Sequence, residues 1–379
     1  MRYSFRLAEL LGHDPDPNKR PGTIKMIVEH TGLDRHQVAN LLRNEVKYLP
    51  VHALSRICDY LIEKGHCRAS ELPGKLFAVE PEHFWELLAR RARLELCLGV
   101  RVPNSKDGLD GALVVASDSV LVGEVLNGVS TMGEASGSLD QSGASLSEDP
   151  VQPSVLRQSL VWSPKQTDED KMLSRAYSVY NDFGTAPGDK ALLGIGSVKS
   201  NPIVELMISN AFRCKPFLSE TVARAVDRSC PFFLRFRNED PTQQSSSGGL
   251  VLAADTPSDK PGIYYETADN KWTLAPCDKS KDAALVYYVH RESQGRLEMA
   301  LGGFSGRATR TLARTLASRA EEFWPPVYEG HGVQVGAFIV EYTYDKKGEL
   351  RDDFLRTDWV AKTTKVTRLD PSVIERRIV

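Results

Sequence analysis

The segment TIKMIVEHTGLDRHQVANLLRN, Thr23 to Asn44, reads as two short amphipathic helices and the turn between them. Ile24, Ile27 and Val28 recur at the i, i+3, i+4 spacing that places them on one helical face. Gly32 follows where a left-handed backbone is cheap only for glycine, and Leu33 can plug the angle between the helices. Asp34 is placed to cap the second helix, with Gln37 completing a box-like S/T/D-x-x-E/Q arrangement. Val38, Leu41 and Leu42 then turn toward the first helix. The opposite face keeps Arg35, His36, Gln37, Asn40, Arg43 and Asn44, side chains that hydrogen-bond base edges and phosphates.

Outward from this core, residues 1 to 79 read as an all-helical unit. Ser4 to Leu11 carries a helical apolar pattern, a polar loop runs from Asp14 to Gly22, and Val51 to Lys64 puts Leu54, Ile57, Cys58 and Leu61 on one face. With its short helix, glycine turn, polar second helix and the continuation LLRNEVKYLPVHALSRICDYL, the unit resembles the lambda-repressor/Cro-like (XRE) helix-turn-helix family. The resemblance covers roughly a fifth of the chain. Two departures stand out: Val28 or Glu29 lies where the family often has alanine, and the Gly12 to Gly22 loop is long. The resemblance implies double-stranded DNA as partner, docking of the second helix in the major groove, and Arg35, His36, Gln37, Asn40, Arg43, Asn44 and Lys47 as DNA contacts. A helical bundle that contacts another protein is the alternative reading of the same residues.

Charge is consistent with DNA contact only when the chain is divided. The 379 residues carry 48 basic and 50 acidic side chains, which excludes a uniformly basic nucleic-acid coat protein and an acidic disordered chain. Residues 1 to 79 hold twelve Lys/Arg against nine Asp/Glu, so the head is slightly basic and the remainder mildly acidic. Such weak charge implies modest, salt-sensitive affinity from one copy, and a homodimer reading two half-sites would offset it. No targeting segment and no uncharged apolar run of membrane-spanning length is evident, so a soluble cytoplasmic protein is expected. Cys58, Cys67, Cys97, Cys214, Cys230 and Cys277 are scattered without zinc-ligand spacing, which points to unpaired thiols and no metal.

A linking helix is expected from residues 80 to 94, where PEHFWELLARRARLE offers an early proline and an aromatic/leucine face. From Glu95 to the end, strands alternate with helices: GALVVASD then SVLVGEVLNGV, SLVWSP then DEDKMLSRAYSVYNDF, ALLGIGS then NPIVELMISNAF, LEMALGGFSG then RATRTLARTLASRAEEFW. This pattern predicts a Rossmann-like α/β domain with a mainly parallel sheet, making the chain multidomain. PFFLRFR, GIYYE, AALVYYVH, VGAFIVEYTYD and DFLRTDWVAKTTKV are further strands, the last two expected to pair. Thr131 to Pro153 and Asn238 to Gly249 lack apolar residues and read as mobile surface insertions.

Three strand-to-helix junctions are candidate ligand positions: Asp118 and Ser119; Gly196, Ser197 and Asn201; and Gly303, Ser305, Gly306, Arg307 and Thr309. In a parallel sheet all three would gather at the carboxyl edge, where helix N-termini favour a small anion. Neither glycine cluster meets a Walker or dinucleotide fingerprint, and glycines are also needed for the turns alone. No catalytic constellation or cofactor motif is evident. His290 reads as a solvated loop residue, and Tyr264, Tyr265, Tyr287, Tyr288 and Trp272 as packing. The combined expectation is a transcriptional regulator, a repressor whose α/β domain senses an anionic ligand. The alternative is a nucleotide- or nucleoside-processing α/β enzyme, of a defence-linked kind, that uses the head for targeting.

Overall fold

A computed structural model gives the fold and describes residues 3–11, 22–43, 45–46, 48–79, 81–102, 111–138, 153, 155–164, 166–186, 188–217, 230–235, 260–330, 332–344 and 361–378. The head begins with β1 (Tyr3–Phe5) and α1 (Leu7–Leu10), followed by α2 (Thr23–Thr31), α3 (Arg35–Leu42) and α4 (Val51–Glu63), and it ends in β2 (Phe77–Val79). Ile27, Val38, Leu41, Leu42, Ala53, Ile57 and Leu61 form its buried core, separate from that of the body. The all-helical expectation gives way at both ends, where β1 and β2 pair antiparallel from Tyr3↔Val79 to Phe5↔Phe77. Three-residue strands carry too few alternations to register in sequence, and an edge contact between the Phe5 and Phe77 rings secures the pair.

The expected linking helix is reduced to α5 (Glu86–Ala89), which is capped at Arg90, and the chain enters β3 (Arg93–Arg101) within three residues. β3 is a central, almost wholly buried strand. Its alternating charges are absorbed inside, with Arg93 bonded to Glu95 and Ser159 donating to the other Glu95 oxygen. GALVVASD supplies only the two-residue β4 (Leu113–Val114); Ala116 onward already belongs to α6 (Ala116–Ser138).

The body then runs through β5 (Val155–Trp162), α7 (Glu169–Thr185), β6 (Lys190–Ile195), α8 (Pro202–Ala211), β7 (Phe232–Arg235), β8 (Gly262–Glu266), β9 (Trp272–Pro276), β10 (Lys281–Arg291), β11 (Arg296–Gly303), α9 (Gly306–Arg319), β12 (Tyr328–Gly330), β13 (Val333–Thr343), β14 (Thr363–Arg368) and α10 (Pro371–Arg377). Nine strands form one mixed sheet, and β7–β8–β9 form a small second sheet. β5, β3, β6 and β11 lie side by side and parallel. β10, β13 and β14 continue the sheet antiparallel, as does β12, so "mainly parallel" holds for one half only. β13 and β14 pair as their adjacency implied. α6 packs with α9 and α7 with α8, and the right-handedness general to parallel crossovers puts the two pairs on opposite faces of the sheet. The first expected insertion begins inside α6, which continues to Ser138; the rest of it, apart from Pro153, and all of the second lie outside the described residues.

The chain direction reverses around β3. It leaves β3 through α6 for β5 on one side, then crosses through α7 to β6 on the other, so the carboxyl ends of β3 and β6 flank a topological switch point. Open α/β sheets hold ligands at such a crevice.

Candidate functional site

In the head, Gly32 ends α2 with φ of 64° and donates its N–H to the Val28 carbonyl at 2.8 Å. Asp34 caps α3 by accepting from the His36 and Gln37 amides at 2.7 and 3.4 Å, and these bonds draw its carboxyl below the usual range. The cap fixes which residues face outward. Val38, Leu41 and Leu42 are buried, Gln37 and Asn40 are half-buried, and Arg35, His36 and Arg43 are exposed. Arg43 is held by Asn40 at 2.6 Å and Glu45 at 2.9 Å. Asn44 and Lys47 lie outside the described residues. Sequence reasoning omitted Tyr48 and Val51, both 78% exposed at the entry to α4. Large exposed apolar side chains beside a polar helix face were the available signal.

The three junctions of the body do converge. A Cβ on Gly196 would stand 3.2 Å from Asp118 Oδ2, one on Gly302 would meet the Gly196 backbone, and one on Gly306 would come 3.2 Å from Ser117 Oγ. Asp118 lies in the first turn of α6 rather than in a bend, and its residue is 4% exposed. Ser117 donates to its Oδ1 at 3.2 Å, while Oδ2 has no hydrogen-bond partner. Burial pushes this carboxyl up, against the opposing pull of the Ser117 hydroxyl and the Arg101 charge. Ser119 is exposed, and it is Ser117 that faces the crevice. Helix phase decides between these two neighbours, and a strand pattern in the preceding residues does not fix that phase.

Several expected ligand contacts are consumed by the fold. Asn201 donates to the Cys97 and Ile195 carbonyls at 2.8 and 3.0 Å and accepts from the Ile203 amide, clamping β3 to β6. Thr309 accepts from the Gly303 amide and donates to the Ser305 carbonyl, closing the β11–α9 turn. A Cβ on Gly303 would collide with the Thr309 amide. Ser305 caps α9 and donates to buried Asp282, which Arg307 also engages at 3.2 Å. Arg307 further donates to the Asp278, Lys279 and Lys281 carbonyls and lies over the Tyr344 ring. These residues build the junctions rather than line an open site. Ser197 remains half-exposed beside Gly196 and Gly302. Beneath them a cavity of about 10 Å³ lies against Val198, Val204, Leu234 and Leu285. It holds one water at most, so a ligand must approach from outside the strand ends.

The opposite, amino edge of the sheet is where the head docks. α1 and β1 pack on the 3-10 turn Glu292–Gln294, and a Cβ on Gly295 would collide with the Glu9 carboxyl group. Behind this contact Arg91 pairs with Asp189 at 2.8 Å and approaches His290 Nε2 at 3.3 Å, while Gln334 meets Nδ1 at 3.0 Å. His290 is therefore an interior residue of β10, not a solvated one. Burial, reinforced by the Arg91 charge, pushes its pKa down to about 3. Burial also lowers Lys190, to about 8, with Arg296 and Arg93 adding to the effect.

Among the described residues no cluster of three metal-capable side chains occurs, and no helix is long and apolar enough to cross a membrane. None of the six cysteines forms a disulfide. The expected packing role of the tyrosines holds: Tyr264, Tyr287 and Tyr288 are fully buried, and Tyr264 stacks on Phe233. What the crevice offers chemically is one buried acceptor beside three strand-to-helix junctions. No protein-family model, curated protein or solved structure matches the chain.

Proposed function

We propose that the chain is a sequence-specific DNA-binding transcriptional regulator, with a helix-turn-helix head and a Rossmann-like body that senses a small ligand at the switch-point crevice. The observation that carries this reading is the α2–α3 pair: a left-handed Gly32, a capped α3, and an outward face of Arg35, His36, Gln37, Asn40 and Arg43. Such a helix suits the major groove, with its N-terminal turn reaching base edges. The parallel order β5–β3–β6–β11 with helices on both faces supports the Rossmann-like assignment.

Head and crevice occupy opposite edges of the sheet, separated by the roughly 20–30 Å length of six- to nine-residue strands. A ligand therefore acts on DNA binding through the sheet or through the arrangement of two heads in a homodimer. In either case ligand and operator affinities change by the same factor. The test is anisotropy titration of the full chain against duplexes selected from a random library, at two salt concentrations. Affinity should fall steeply with salt. Gln37→Ala should relax base preference at one position by about 1–3 kcal/mol, and Lys47→Ala should weaken binding to all sequences alike. A chain without salt-dependent DNA affinity would remove this reading.

A second reading, a nucleotide- or nucleoside-processing enzyme that uses the head for targeting, is favoured by one observation. Asp118 is a buried carboxyl with a raised pKa in a crevice, the setting of a general acid or base. Nucleotide turnover by the full chain, abolished by Asp118→Ala, would establish it.

A further inference from the structure

Two opposite demands meet at the carboxyl edge. The first is for negative charge. Ser117 and Gly306 stand in the first turns of α6 and α9, where backbone amides have no intrahelical partner, and Ser197 and Val198 lie in the turn before α8. Among the described residues none of these four amides donates a hydrogen bond within the protein. Helix N-termini with free amides favour an anion, and Arg101, exposed at the end of β3, adds a positive charge nearby. The second demand is for a donor. Asp118 Oδ2 is buried, unpartnered and set against Gly196, with Ser117 and Ser200 hydroxyls beside it. A buried acceptor left unsatisfied costs roughly 1–3 kcal/mol, and a fold retains that cost where a bound group supplies the donor.

A bare anion meets only the first demand, since its charge opposes a carboxylate. An amine or an uncharged polyol meets only the second. We propose that the crevice binds an organic phosphate of the ribose-phosphate class, free or within a nucleotide, with its phosphate at the junction amides and a sugar hydroxyl donating to Asp118 Oδ2. The assignment rests on the sensing reading of the body and names its ligand. It also explains why the neighbouring polar side chains are saturated. Asn201 holds the β6–α8 junction and Ser305, Arg307 and Thr309 hold the β11–α9 junction, leaving one carboxyl and a set of backbone amides for recognition.

Isothermal titration of the full chain, without DNA, tests this with ribose 5-phosphate, adenosine monophosphate, ribose and inorganic phosphate as probes. At least one organic phosphate should bind about tenfold or more tightly than either ribose or inorganic phosphate, the margin of one charge-assisted hydrogen bond. Preference for adenosine monophosphate over ribose 5-phosphate would identify the nucleotide as source, and the reverse preference the free sugar phosphate. Asp118→Asn should abolish the margin while leaving inorganic phosphate as tight or tighter, and should not lower the melting temperature of the unliganded protein. Equal affinity for inorganic and organic phosphate, or no binding of any probe, would overturn the proposal whether or not the variant folds. DNA titration of the same preparation keeps the two ideas apart. Sugar-phosphate binding without DNA affinity would sink the regulator, and DNA affinity without sugar-phosphate binding would sink this ligand.

Discussion

Asp118 and Gly196 come from different strand-to-helix junctions, yet Asp118 Oδ2 lies 3.2 Å from where a Gly196 Cβ would stand. Gly196 also has φ of 98° and faces the Ser200 hydroxyl, 2.4 Å from that Cβ position. Glycine is thus required twice, by backbone conformation and by space. Gly196→Ala should lower stability by about 1–2 kcal/mol from the backbone term alone, read as a shifted urea midpoint, and should displace Asp118. An unchanged midpoint would mean that the junction relaxes without cost.

How legible this crevice is depends on which link of the chain is asked. Gly196, Gly303 and Gly306 are recognisable as junction glycines because a strand pattern precedes each and a helical pattern follows. Their meeting with Asp118 is not, since it depends on the strand order β5–β3–β6–β11. β3 itself evades sequence reading because Arg93 and Glu95 mimic a polar helix face, and only the folded sheet shows them paired with each other inside. In the head the turn is legible through Gly32 and Asp34, where local geometry dictates residue type. The β1–β2 pair joins residues over seventy positions apart, and no local pattern announces it.

Asn201 is a clamp rather than a ligand contact. Its three hydrogen bonds reach Cys97 on β3, Ile195 on β6 and Ile203 on α8, and the side chain is fully buried. Asn201→Ala removes two buried hydrogen bonds to strand carbonyls and the cap on the Ile203 amide. A loss of about 2–4 kcal/mol in urea unfolding is expected. A loss under about 1 kcal/mol would show that water replaces the clamp, and would return Asn201 to the list of candidate ligand contacts.

The head–body contact has its tightest point at Gly295, which has φ of 55° and faces the Glu9 carboxyl group. Glu9 is itself bonded to Arg6. Gly295→Ala adds left-handed strain of about 1–2 kcal/mol and pushes Glu9 from its seat. Hydrogen exchange should quicken in α1 and in Glu292–Gln294, while the distant junctions at Gly196 and Gly302 keep their protection. Uniform loss across the sheet would indicate global destabilisation instead of a loosened head.

His290 gives the fold a pH dependence whose sign follows from its neighbours. Its imidazole is buried between Arg91 and Gln334, with Asp189 beyond Arg91, and burial holds its pKa near 3, below the ordinary value of 6.5. In the unfolded chain the ring protonates as pH falls through about 6.5, whereas in the folded protein it stays neutral until about 3. Between those values the unfolded state binds more protons, so stability is fully present above about 6.5 and declines with acidification by up to about 1.4 kcal/mol per pH unit. Urea unfolding at pH 7 and pH 5 should therefore show the wild type losing about 2 kcal/mol more than His290→Gln, which keeps a neutral polar group but cannot titrate. Carboxylates shared by both proteins cancel in that difference. Parallel acid losses in the two proteins would mean that the interior ring ionises as freely as a solvated one, contradicting its placement behind the head.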